Sequence, residues 1–219
     1  MKKNVFFALL LAAAVFRVFA QSPDFGQIRE FTGEVELKRA GSAVFVKAGA
    51  GDLLTQDTIV STGFKSTAII EVGSSTIMVR PLTRLSLAGI QSDSGAEKLN
   101  VNLQTGRIKV DVKPPAGTKS NVSVQGSSAT ASVRGTSFEF DGFNLFVNEG
   151  AVSFESGNGV VILVSQNEGS SANGYGGVSD PQANNTNGLV SPFPVGASPD
   201  RTTPTMPPSA GDINIDIRW

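Results

Sequence analysis

Four carboxylates fall into two pairs spaced two residues apart, Glu34 with Glu36 and Glu139 with Asp141. In an extended strand such residues share one face about 7 Å apart. That separation could serve two carboxyl groups in glycoside hydrolysis, one as general acid and the other as base or nucleophile. Alternation puts such pairs on any polar strand face, so the bland reading is a solvated surface. Asp52 and Asp57 could join these carboxylates around calcium, but the sequence contains no dense loop of Asp, Asn and Gly ligands. His and Cys are both absent, which removes the commonest neutral-pH base, the commonest transition-metal ligand and every disulfide. The reading is therefore a non-enzymatic protein without catalytic residues, cofactor or metal. Arg134 is the remaining side chain with chemistry to offer, and its planar fork could bind a carboxylate on a neighbouring turn or the anionic group of a ligand.

The element that must position Arg134 runs from Ala129 to Phe140. Ala129, Ala131 and Val133 alternate inward on one strand and Phe138 and Phe140 on the next, with Ser132, Ser137, Glu139 and Asp141 on the other side. Between them, Val133-Arg134-Gly135-Thr136 forms a corner in which Gly135 supplies a backbone conformation other residues adopt only under strain. The same device recurs along the chain. Short apolar/polar runs separated by Gly-bearing turns extend from Phe31 to Val164, and Gly63, Gly73 and Gly106 mark further turns. Glycines ahead of the inward residues at Gly33, Gly106 and Gly150 suggest stacked, similar turns of backbone. The expected fold is all-β, a twisted solenoid-like or roll-like domain of short antiparallel and stacked strands. Gln91 to Glu97 reads as a polar hairpin loop, and Val160 to Val164, continuously apolar, as a strand covered on both faces.

The ends differ from this domain. Residues 1–20 carry Lys2 and Lys3, an apolar run from Val5 to Phe16, and Val18-Phe19-Ala20, the pattern of a cleavable export signal. The domain is expected over 21–168. Residues 169–211, rich in Gly, Pro, Ser and Asn, read as a flexible linker. Residues 212–219 resume alternation, with Ile213, Ile215, Ile217 and Trp219 on one face, a strand for the parent domain's edge or for a partner. With Lys2, Lys3 and Arg17 set aside, 15 basic residues face 19 acidic ones, a net charge of −4, which argues against a general nucleic-acid binder, so no nucleic-acid partner is expected.

Gly33-Glu34-Val35-Glu36-Leu37, Gly51-Asp52, Asp57 to Gly63 followed by Ser66-Thr67-Ala68, Gly73-Ser74 with Ile77 and Val79, Leu103-Gln104-Thr105-Gly106-Arg107-Ile108, and Val133-Arg134-Gly135-Thr136-Ser137-Phe138 occur in this order. Together they resemble the FecR domain family, the periplasmic domain of ferric-citrate-type transmembrane regulators and of many exported proteins. The resemblance covers residues 28 to 168 and implies a twisted β-solenoid-like fold. Regulators of that family carry a cytoplasmic segment that handles a sigma factor, then a membrane span. This chain opens instead on an export-like segment, so the expectation is a stand-alone domain without the anti-sigma segment. It would be periplasmic or secreted, would not be an integral membrane protein once the signal is removed, and would act as a protein-interaction module with an envelope protein partner. Two alternatives stay open: binding or processing of a peptidoglycan-like envelope polysaccharide, and a periplasmic part in a transmembrane signalling system.

Overall fold

The apolar alternation is collected by two sheets whose inner faces share one core. The structure, a computed structural model, describes residues 25–183 apart from 94–95, 115–116 and 118. The expected signal at 1–20 and the terminal run Ile213 to Trp219 lie outside the described residues.

The chain enters through β1 (Gly26–Thr32), β2 (Val35–Lys38), β3 (Val46–Lys47), β4 (Leu53–Leu54) and β5 (Ile59–Thr62). Two hairpins follow, β6 (Thr67–Val72) with β7 (Ser75–Val79), then β8 (Arg84–Asp93) with β9 (Ala96–Thr105). A single strand, β10 (Ile108–Val112), leads into β11 (Lys119–Gln125) with β12 (Ala129–Val133) and β13 (Ser137–Phe140) with β14 (Asn144–Glu149). Then come β15 (Ala151–Ser156) with β16 (Val161–Ser165), and β17 (Glu168–Ser171) with β18 (Gln182–Ala183). The first sheet runs β18-β17-β14-β13-β10-β7-β6-β1-β4 and the second β16-β15-β12-β11-β9-β8-β5-β2-β3.

The fold is thus all-β, built of two sheets that, among the described residues, are open, with edges at β18, β4, β16 and β3. Among the described strands only β9 and β11 pair in parallel, because β10 crosses to the other sheet between them. The stacked turns expected from the recurring glycines take the form of hairpins dealt alternately to two layers. Gly33, Gly106, Gly135 and Gly150 all have positive φ, between 74° and 90°. Each sits where the chain leaves one sheet for the other. A corner between layers needs a left-handed residue, and Gly is the one that supplies it without steric cost.

Ala129, Ala131, Val133, Phe138 and Phe140 all reach the core from the faces that alternation assigns them. The two strands belong to different sheets, so the Arg-Gly-Thr corner is a crossover.

Three expectations are corrected. Val160 to Val164 is not covered on both faces: β16 is an edge strand, with Val161 57% and Leu163 65% exposed. A short apolar run has no period that distinguishes a central strand from an edge. The boundary at Gly169 lies inside the sheet. β17 pairs with β14, and Ser170 Oγ donates to the Ser179 carbonyl at 2.7 Å. Ladders are made by backbone, which Gly and Ser possess as fully as Val does. The β8–β9 hairpin is also longer than its polar composition implied, with Asp93 paired to Ala96.

Candidate functional site

The structure gives Glu139 and Asp141 structural work. Asp141 Oδ1 accepts from the Phe143 and Asn144 backbone N–H groups at 3.1 and 2.7 Å, closing the β13–β14 turn, while its Oδ2 lies 3.5 Å from Arg107 Nη2. Glu139 is buried, with Oε1 3.6 Å from Arg80 Nη2. Glu34 and Glu36 are exposed on the other sheet. Asp52 caps its own turn by accepting from the Gly49 N–H at 2.8 Å. Asp57 sits in a left-handed turn, φ 63°. Among the described residues no cluster of acidic side chains is arranged to hold a metal.

A different site emerges on the outer face of the second sheet. Asn100, Ser123, Ser132 and Ser153 stand side by side across β9, β11, β12 and β15, and Leu163 of β16 ends the row. Strands lie about 4.8 Å apart, so this row spans about 19 Å. All are outward positions of strands whose inward positions are apolar, and all but Leu163 are small or amide-bearing, so the surface dips here into an open groove of ≈ 640 Å³.

One flank of the groove is basic. Lys98 lies opposite Asn121 across the β9–β11 pair, and Arg134 follows β12 on Asn121's other side. The Arg134 Nε–H donates to Asn121 Oδ1 at 2.8 Å. An internal carboxylate partner for Arg134 is not what the structure shows: among the described residues none lies within ion-pair distance. The corner itself forms the end of the groove, with Gly135, Thr136 and Gly150 lining it and Thr136 Oγ1 donating to the Ala151 carbonyl at 3.1 Å.

Residues 58–153 match the family model described as FecR protein. This stretch is a FecR domain. It runs from the start of β5 into β15 and contains every groove residue named above except Leu163. Among curated proteins none matches the sequence. Two crystal structures of a protein described as a "putative anti-sigma factor" from Parabacteroides distasonis are similar at 15% identity, with TM-scores of 0.46 and 0.45. The match covers 57% of this chain and 59% of theirs, so the chain spans under two thirds of those proteins' length.

The motif residues of the FecR domain fall at separate places. Val133, Thr136 and Phe138 are buried around the corner, with Arg134 and Gly135 exposed on it. Gly63 and Gly106 lie at two other crossovers, and Gly73 turns the β6–β7 hairpin. The corner alone reaches the groove. Sequence reasoning located Arg134 and Ser132 but missed Lys98, Asn100, Asn121, Ser123 and Ser153, which come from strands far apart in the chain. The legible signal was a run of small polar residues at outward positions of successive strands.

Just past the FecR domain, β16 borders the groove through Leu163, and among the described residues one of its backbone edges has no partner strand.

Proposed function

We propose that this chain is an exported, non-enzymatic FecR-domain protein that works as a protein-interaction module in the cell envelope. The reading rests above all on β16, a five-residue edge strand whose outward Val161 and Leu163 are more than half exposed. An extended partner segment added to such an edge gains main-chain hydrogen bonds from the free ladder and specificity from alternate side chains. Long apolar edges invite pairing with another chain unless covered or charged, and Val161-Ile162-Leu163-Val164 carries no charge.

Export is supported by the composition of residues 1–20. Among the described residues no helix is long and apolar enough to cross a membrane. The absence of catalysis is supported by the structural use of Asp141 and the pairing of Glu139 with Arg80. The FecR match points to a regulatory rather than a catalytic family.

The test is site-specific photo-crosslinking of the exported chain in its own envelope, with the photoreactive side chain at Leu163 and, as control, at Phe64, which is 73% exposed in the β5–β6 turn. An adduct with one protein from position 163, absent from position 64, is the expected result. Adducts identical at both positions, no adduct, or an internal adduct mapping to residues 212–219 would each remove the reading.

A further inference from the structure

The groove on the outer face of the second sheet is independent of the β16 edge reading and carries an inference of its own. We propose that it is a binding site for an acidic oligosaccharide, a sugar chain bearing carboxylates.

Charge gives the first reason. The protein as a whole is slightly acidic, at −1, yet the charged side chains that line the groove are Lys98 and Arg134, both cations. Asn121 sits between them and binds Arg134 through Nε alone. A guanidinium has five N–H donors, and the four on its terminal nitrogens have no hydrogen-bond partner among the described residues. A planar fork tethered at Nε is suited to accept a carboxylate through its remaining donors.

The floor gives the second reason. β9, β11, β12 and β15 are paired on both sides within the sheet, so their backbone groups are already committed. What the groove offers a ligand is the Asn100 amide, the Ser153 hydroxyl and the Ser123 and Ser132 hydroxyls, which share one hydrogen bond at 3.3 Å and keep their remaining capacity, all at strand spacing. Hydroxyl and amide groups that both donate and accept match a ligand with many hydroxyls of its own. A peptide lying across the floor would find no free ladder edge on β9, β11, β12 or β15, only that of β16 at the far end, and two small patches of exposed apolar surface, Ala151 and Leu163.

The third reason concerns where affinity comes from. Among the lining residues none is aromatic, so a neutral sugar has no ring face to stack on, and discrimination has to come from the two cations. Binding should accordingly be selective for the charged glycan and sensitive to salt.

The experiment uses the mature chain, residues 21–219, with calorimetric titration of galacturonate oligomers and of neutral galactose oligomers of equal length, at low and at physiological salt. Expected is binding of the acidic series only, weakened at least tenfold by Arg134→Gln and by Lys98→Gln and weakened by salt, with Lys47→Gln, an exposed cation on β3, unchanged. Circular dichroism of each variant checks that the fold is kept. Equal binding of neutral oligomers, loss of binding in Lys47→Gln to the same extent, or no binding to the acidic series would overturn the proposal. Preference for poly-glutamate over the acidic sugar would also overturn it, by assigning the groove to acidic peptides. A bound glycan yields no protein adduct at Leu163, so the glycan titrations and the crosslinking fail separately.

Discussion

Phe140 and Phe154 meet edge to face, ring centroids 6.0 Å apart and planes at 84°, although they belong to different sheets. Both are fully buried. The contact ties the layers together at the end of the molecule where the groove lies on the outside. Phe154→Ala is expected to destabilise the domain by about 3–5 kcal/mol in urea unfolding. The Phe140→Ala/Phe154→Ala double variant should fall short of the sum of the singles by about 0.5–1.5 kcal/mol, the share that belongs to the aromatic pair. Strict additivity would show that the rings fill space independently.

The crossover glycines separate two demands that sequence alone merges. Gly106 has φ 90°, and a Cβ there would collide with Thr83, backbone included. Thr83 Oγ1 accepts from the Arg107 N–H at 3.0 Å and so holds the same corner. Gly135 has φ 76°, but the nearest atom to an added Cβ is Pro114 Cδ at 3.5 Å. Gly135→Ala should therefore cost the left-handed backbone alone, about 1–2 kcal/mol. Gly106→Ala adds overpacking and should cost about 2–5 kcal/mol. Thermal unfolding of both variants checks the order. Equal losses would mean that Thr83 moves aside freely.

What could be read from the sequence was whatever side-chain alternation encodes. The inward set Ala129, Ala131, Val133, Phe138 and Phe140 follows from period two, and a corner at Gly135 from its neighbours, though not that the corner crosses between sheets. Alternation assigns faces but does not say what lies over a face. Glu139 was placed on the polar side and is there, yet it is only 4% exposed, because burial depends on neighbours such as Arg80 that come from other strands. The edge position of β16 and the membership of Ser170 in the sheet were invisible for a related reason. Both depend on which backbone finds a partner, and backbone is the same at every residue.

That buried glutamate supports a third prediction. Glu139 has a side chain 5% exposed and faces Arg80, which is 39% exposed, while its Oε2 has no hydrogen-bond partner. Removing the buried member and removing its partner are unequal acts. Glu139→Gln leaves Arg80 free to be hydrated, whereas Arg80→Ala strands a charge inside with Lys109 opposite it in register. Arg80→Ala should lose about 1–3 kcal/mol, the penalty for a buried polar group left unsatisfied, and Glu139→Gln less. Denaturant midpoints of the two variants decide it. A larger loss in Glu139→Gln would mean that the guanidinium is the costlier group to leave unpaired.

The terminal run from Ile213 to Trp219 alternates cleanly enough to form a strand, and β16 offers an edge, so docking of one on the other is the obvious arrangement to test. The core near that edge is closed without it. Val152 and Val164 are fully buried and Ala172 is 5% exposed. Deleting residues 212–219 should therefore shift stability by less than about 0.5 kcal/mol, the usual range for changes away from packed features. Docked in place, three Ile side chains and a Trp would each contribute about 1.5–3 kcal/mol, several kcal/mol in total. At about 2–4 °C per kcal/mol for a domain of this size, comparing the melting of chains 21–219 and 21–211 separates the cases. A fall of more than about 5 °C on deletion would seat the run on the domain, and the β16 edge would then be filled from within.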